Sequence, residues 1–194
     1  MSDFMILDGT GTGRRAQVNT DNQLITKAKV EPYNTYISKQ KGLAFSMSTG
    51  MLTTTTTEGL YMYFKNTDAN NFHIQSIFMN WNGGSTNFDR PAWLSLYVGT
   101  YEPTANHTAG TVRNLNSGSG NTASIDYYIW DESSTGMTTA ANGLYVSTSM
   151  LSQGIQEIGV DGALIVAQNV SVGILGDCAE IGELIIHITG YYES

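Results

Sequence analysis

The side chains that most often carry out catalysis or bind metals are few in this chain of 194 residues. Three histidines, His73, His107 and His187, and one cysteine, Cys178, are its entire supply of imidazole and thiol groups. No H-x-H or H-x3-H spacing of the kind that zinc sites use occurs among them. His187 lies four residues after Glu183, without a third ligand nearby in the sequence. We therefore predict no metal site, and structural roles for the histidines.

Nucleophilic and acid–base catalysis also lack a recognisable arrangement. No G-x-S-x-G turn presents a serine for attack. The glycine run at residues 8–13, DGTGTG, differs from the dinucleotide-binding G-x-G-x-x-G, and no Gly-Lys-Ser/Thr follows it. A carboxylate pair for glycoside hydrolysis is recognised by its separation in space, which the sequence does not supply. We predict a chain without catalytic activity or cofactor, with a glycan hydrolase as the least favoured alternative.

The charge is unevenly distributed along the chain. The net charge is −8, yet residues 1–41 hold six basic and four acidic residues and carry +2. Residues 42–194 hold three basic and thirteen acidic residues and carry −10. An acidic body repels nucleic acid and anionic membranes. We predict neither as a partner, while the basic leading segment could seat on an acidic protein surface.

Cys178 and the first residues bear on the compartment. A single cysteine cannot form an intrachain disulfide, and its apolar surroundings, residues 173–188, predict a small buried side chain. The opening MSDFMILDGTG has neither the basic start nor the long apolar stretch of a signal peptide. We predict synthesis in a cytoplasm.

Two regions with different patterns must position all these residues. Residues 1–41 contain short apolar pieces between turns, with Gly9, Gly11 and Gly13 near the start and Pro32 near the end. No piece is large enough to form a core alone. We predict an extended N-terminal arm over residues 1–41.

Residues 42–194 carry evenly spaced strand signals, separated by turn clusters such as NTDANN, NGGSTN and DESSTG. Apolar and polar residues alternate most clearly at Leu94, Leu96 and Val98, and at Ile125, Tyr127 and Ile129. The best helix candidate, residues 147–158, is interrupted by Gly154. Eight or nine strands without intervening helices predict an all-β fold, an antiparallel jelly-roll β-sandwich.

Four segments, in order along nearly the whole chain, resemble those of virion structural proteins of tailed bacteriophages. They are LDGTGTGRRAQVNTDNQL, LYMYFKNTDANNFHIQSI, RNLNSGSGNTAS and ELIIHITGYYES. One departure is VDGALIVAQ, where that family would have a Pro-Gly turn. The resemblance implies a jelly-roll body and an arm that lies on neighbouring subunits.

From this resemblance we expect a virion protein, most specifically a capsid decoration (cement) protein that docks through its arm and stabilises the head. The major capsid protein or another virion subunit would be its partner, and capsid symmetry suggests a homotrimer. A collar or tail component is an alternative. The expected docking residues are the two arginines after the glycine run and the apolar residues of the arm: Leu7, Arg14, Arg15, Val18 and Leu24.

Aromatic residues beside turns offer a function of another class. Trp81, Tyr101 and Trp130 could form a platform that stacks on sugars, as in a carbohydrate-binding adhesion module of a phage tail or head fibre. Trp93 has a similar setting. Core packing is the competing interpretation for each of them, because each adjoins a strand.

Overall fold

The computed structural model describes residues 17–18, 24–25, 33–57, 59–83, 92–99, 108–130, 144–151, 154–178 and 180–193. The chain divides into two compact units, Met1–Pro32 and Tyr33–Ser194. In the first unit, β1 (Gln17–Val18) and β2 (Leu24–Ile25) form an antiparallel pair. The rest of residues 1–32 lies outside the described residues.

The second unit begins with a helical segment rather than a strand. It comprises α1 (Tyr33–Tyr36) and a single π-helical turn, Ile37–Lys41. Pro32 precedes it and Gly42 ends it in the left-handed conformation at φ 62°, which matches the usual preference for proline before and glycine after a helix. Residues 33–41, which we expected to be extended, are therefore helical and belong to the second unit.

Within the described residues, twelve strands follow the helical segment. They are β3 (Ala44–Ser48), β4 (Leu52–Thr53), β5 (Gly59–Asn66), β6 (Phe72–Gly83), β7 (Ala92–Gly99), β8 (Thr108–Ala109), β9 (Arg113–Asn114), β10 (Ile125–Ile129), β11 (Leu144–Leu151), β12 (Gly154–Val166), β13 (Ser171–Cys178) and β14 (Gly182–Tyr192). In the helix candidate at residues 147–158, residues 147–151 belong to β11 and residues 154–158 belong to β12, so these residues form strands.

The strand pairing is that of a jelly roll. Strands from the two halves of the unit pair in nested order, β3 with β14, β5 with β13, β6 with β12 and β7 with β11. This long antiparallel ribbon wraps into two sheets that contain the paths β3-β14-β6-β12 and β5-β13-β7-β11. Every recorded strand pair is antiparallel, which confirms the predicted all-β, jelly-roll sandwich.

The segment between β7 and β11 enlarges both sheets. Strands β10 and β8 extend one sheet beyond β5, and β9 extends the other beyond β3. The strand order of the first sheet is then β11-β7-β13-β5-β10-β8. That of the second sheet is β12-β6-β14-β3-β9. The segment between β7 and β11 therefore widens each sheet at the edge opposite to β11 or β12.

The main core lies between the two sheets and is built from alternate strand residues. Phe45, Tyr192, Phe72 and Phe64 form a chain of three edge-to-face ring contacts there, at centroid distances of 5.3–6.0 Å. A second, smaller cluster comprises Leu60, Tyr63, Trp130 and Leu175. Strand β5 contributes to both clusters, which explains why all but one of its residues are buried.

Two segments of unusual sequence have clear places in this fold. In the threonine run, Thr54 is buried and donates from its backbone N–H to the Gly182 carbonyl, while the Thr55 carbonyl accepts from Cys178 in the other sheet. The run thus crosses from one sheet to the other. In VDGALIVAQ, β12 continues past a register shift, so that residues 160–163 stand opposite the single residue Gln75.

Candidate functional site

Three of the four segments that resemble virion proteins meet at one end of the sandwich. The hydroxyl of Tyr192 is shared between the Asn66 side-chain oxygen and the Ser124 carbonyl, each at 3.2 Å. Asn66 is fully buried and donates from its amide to the carbonyls of Asn70 and Val166, both at 2.9 Å. Burial raises the pKa of Tyr192 well above its ordinary value, so the phenol stays a neutral donor. These motif residues hold the fold together.

The asparagine-rich loop anchors the helical segment at the start of the body. Asn114 donates to the Gly42 carbonyl at 2.7 Å, and Asn121 donates to the Lys41 carbonyl at 2.8 Å. Asn116 reaches the Ser38 carbonyl at 3.2 Å. The last carbonyls of a helix have no partners within it, and here side-chain amides supply them. The point where the arm enters the body is therefore fixed to the β9 region.

Beside this anchor lies a cleft of about 320 Å³ with mixed polar and apolar walls. The helical segment forms one wall and the outer face of β3, β6 and β14 forms the floor. The lining residues are Thr35, Ser38, Lys39, Ala44, Gln75, Leu115, Thr189, Gly190 and Tyr191. Leu115 is half exposed there. The cleft could accept a short apolar side chain from a neighbouring molecule.

The predicted docking residues are only partly within the described part of the chain. Leu7, Arg14 and Arg15 lie outside it. Val18 and Leu24 lie within it, and their Cα atoms stand directly opposite each other in the β1–β2 pair. The structure thus brings two of the five residues together.

The predicted glycan platform is not assembled, because two of its three residues are in the interior. Trp81 is 0% exposed and belongs to the main core, and Trp130 is 2% exposed and belongs to the smaller cluster. Their rings cannot stack on a sugar, so core packing is the correct interpretation for both. Tyr101 lies outside the described residues.

His73 and Cys178 are in structural settings, and His107 lies outside the described residues. His73 stacks on Tyr191 at 5.2 Å and approaches the Glu193 carboxylate at 3.3 Å. Cys178 is buried with its sulfur 3.9 Å from the Tyr61 hydroxyl, and burial raises the pKa of its thiol. Within the described ranges, no three His, Cys, Asp or Glu side chains are grouped to hold a metal ion.

One aromatic residue that the sequence offered for stacking on sugars is exposed and is not part of the core. Trp93 on β7 is 47% exposed, next to the exposed Asp177 on β13. The alternation that assigns Leu94 and Leu96 to the core also places Trp93 on the opposite face. The alternation therefore indicates that Trp93 lies on an outer face of the sheet. It does not show whether other segments of the chain cover that face.

Comparison with known proteins adds no relative. No protein-family model, curated protein or solved structure matches the chain. Among the described helices, none has the length and apolar character needed to cross a membrane. The likeness to phage virion proteins therefore rests on the four sequence segments.

Proposed function

We propose that this chain is a structural protein of a tailed-bacteriophage virion, a capsid decoration protein that docks on the head through its N-terminal arm and stabilises it. The proposal includes no catalytic activity and no cofactor. One observation carries it: residues 1–32 form a unit distinct from a jelly-roll body, and the chain enters that body at an anchored helical segment.

The physical argument starts from what each part can do alone. The 32 residues of the first unit contain four basic and four acidic residues and a few short apolar stretches. A piece of this size buries too little surface to be stable without contacts elsewhere. A second surface would supply apolar grooves for Leu7, Val18 and Leu24, and acceptors for the guanidinium groups of Arg14 and Arg15.

The body suits a passive role in such an assembly. Its two sheets enclose a continuous core, and its turns are held by backbone and side-chain hydrogen bonds. Residues 33–194 carry five basic and thirteen acidic residues, so copies of the body repel one another. Attachment through the arm to the major capsid protein would overcome that repulsion. A homotrimer, located in the virion, is part of the proposal.

The direct test removes the arm and measures attachment. Deletion of residues 2–30 should abolish binding of the purified protein to decoration-free heads while the body keeps its β-type circular dichroism spectrum. In the full chain, Arg14→Ala with Arg15→Ala should weaken binding about tenfold or more if both arginines are desolvated at the interface. Lys27→Ala with Lys29→Ala removes the same charge from the same unit and is the matched control.

The outcomes separate the virion locations. Unchanged head occupancy after the deletion would exclude the arm as the anchor. Counting copies per purified particle distinguishes a capsid protein, present in hundreds of copies, from a collar or tail component, present in about a dozen. Absence of the chain from purified particles would refute the virion proposal as a whole.

A further inference from the structure

The outer face of the β5-β13-β7 sheet carries an exposed aromatic ring beside a carboxylate. Trp93 and Asp177 are directly opposite each other in the antiparallel β7–β13 pair. Side chains at such positions have Cβ atoms about 4.5–5.5 Å apart and point to the same face. Trp93 keeps 47% of its surface exposed, in contrast to the buried Trp81 and Trp130. Of the described tryptophans, it alone exposes its indole to solvent.

The two residues border a small depression in the sheet surface. Its volume is about 40 Å³, and its lining consists of Trp93, Ser95, Tyr97, Leu175, Gly176 and Asp177. A depression needs about 10–15 Å³ of this volume to hold one water molecule, so this one has room for hydroxyl or hydroxymethyl groups of a ligand but not for a whole sugar ring. Cofactor and drug-like sites have volumes of about 300–1,000 Å³. Any ligand here must therefore lie on the surface, mostly over Trp93.

Gly176 allows the two strands beneath the depression to lie close together. A Cβ atom at this position would overlap the Trp93 backbone carbonyl and the Leu94 side chain. Gly176 stands opposite Leu94, so this contact is on the core side of the sheet, and the flanking Leu175 and Asp177 are on the side of the depression. The flanking Leu175 is buried in the smaller apolar cluster, which provides a rigid floor.

The charges around the depression restrict the class of ligand that it can bind. Among the described residues that line the depression, the ionisable side chains are the Asp177 carboxylate and the Tyr97 phenol, without a lysine or arginine. The chain also carries a net charge of −8. Phosphate, sulfate and carboxylate ligands would be repelled, which argues against nucleic acid and acidic glycans. A neutral ligand with a flat apolar face and several hydroxyl donors fits these groups.

We propose that this face binds a neutral saccharide, with a pyranose ring stacked on Trp93 and its hydroxyl groups donating hydrogen bonds to Asp177. A pyranose presents C–H groups on one face and hydroxyls at its edge, so one sugar can contact both residues at once. A hydroxyl or hydroxymethyl group of the same sugar occupies the depression beside Ser95. This function is separate from the attachment of the arm.

The test uses the full-length protein and a glycan array of neutral bacterial surface oligosaccharides, with acidic and sulfated glycans on the same array. The wild type should bind neutral members, and the exposed indole N–H resonance should shift on titration with a soluble hit. Trp93→Ala should weaken that binding about tenfold or more, and Trp93→Phe should retain part of it. Asp177→Ala should weaken it with the stacking residue still present.

Ile155→Ala is the matched control, because Ile155 is 68% exposed and lies in the other sheet. It should leave glycan binding unchanged. No binding across the array, binding confined to acidic glycans, or binding that survives Trp93→Ala would each overturn the proposal. Since head occupancy of Trp93→Ala is expected to equal that of the wild type, failure here leaves the arm-docking proposal intact, and the reverse also holds.

Discussion

The hydroxyl of Tyr192 donates to the side-chain oxygen of Asn66 at 3.2 Å, across a separation of 126 positions in the chain. The Ser124 carbonyl shares the same hydroxyl, so β14, the end of β5 and the loop before β10 are joined at one atom. Buried polar groups need such partners, because an unsatisfied one costs about 1–3 kcal/mol. Three of the segments singled out in the sequence thus meet at a structural junction.

Tyr192→Phe should therefore destabilise the body by about 0.5–1.5 kcal/mol, because the hydrogen bonds of a buried hydroxyl are lost while Asn66 and Ser124 keep the donors that Asp68 and Thr67 supply. Urea unfolding followed by circular dichroism measures the change in the free energy of unfolding. Tyr36→Phe removes the same atom from a residue that is 39% exposed and should change it by less than about 0.5 kcal/mol. If both substitutions lower the free energy of unfolding equally, the hydrogen bonds of Tyr192 contribute nothing to stability.

Stability should fall steeply in alkali. Burial raises the pKa of Tyr61 to about 12, against about 10 in the unfolded chain. Between pH 10 and pH 12 the unfolded state releases a proton that the folded state retains, so unfolding becomes more favourable as the pH rises. Below pH 10 both states hold the proton and Tyr61 contributes no pH dependence.

The measurement is the free energy of unfolding at several pH values from 8 to 12. Each such tyrosine contributes a slope of up to about 1.4 kcal/mol per pH unit, and burial raises the pKa of Tyr127 and Tyr192 as well. Tyr61→Phe should remove one tyrosine's share of the slope. A slope that is the same in this variant would contradict the assignment to Tyr61.

The thiol of Cys178 should be inert in the folded protein. It is 3% exposed, and burial raises its pKa, so little thiolate is present or accessible at neutral pH. Reaction with an aromatic disulfide reagent should be slow in buffer and fast in concentrated urea, with one thiol titrated per chain. Rapid reaction in buffer would show that the β13 end opens, which hydrogen exchange at the Cys178 amide would detect independently.

The amide contacts at the helical segment should control its local stability. Asn121→Ala removes the bond to the Lys41 carbonyl and should cost about 0.5–1.5 kcal/mol. Hydrogen exchange of the Gly42 and Leu43 amides, which close the last helical turn, should accelerate more than exchange in β6. Asn82→Ala, at an exposed position of β6, is the control. Unaltered exchange at Gly42 in Asn121→Ala would mean that the loop does not anchor the segment.

Much of the fold class could be predicted because strand alternation is a local signal. Leu94 and Leu96 were assigned to one face by period two, and both are buried in the main core. The burial of Cys178 followed from its apolar neighbours in the same way. The ends of the strands are harder to predict. The run ALIVAQNVSVGIL reads as one apolar stretch, but it contains the end of β12, a turn with Asn169 at φ 62°, and the start of β13. Asparagine tolerates that conformation, and hydropathy does not reveal it.

The site residues illustrate what the sequence by itself could not determine. Alternation placed Trp81, Trp93 and Trp130 beside strands, but a strand has two faces, and each face is covered or exposed according to the packing of distant segments. Trp81 faces the opposite sheet and Trp130 joins the smaller cluster, whereas Trp93 is left in solvent beside Asp177. The Tyr192–Asn66 contact likewise depends on pairing between strands far apart in the chain. The sequence determined which residues alternate, and only the tertiary structure decided which face meets the core, because burial arises from non-local contacts.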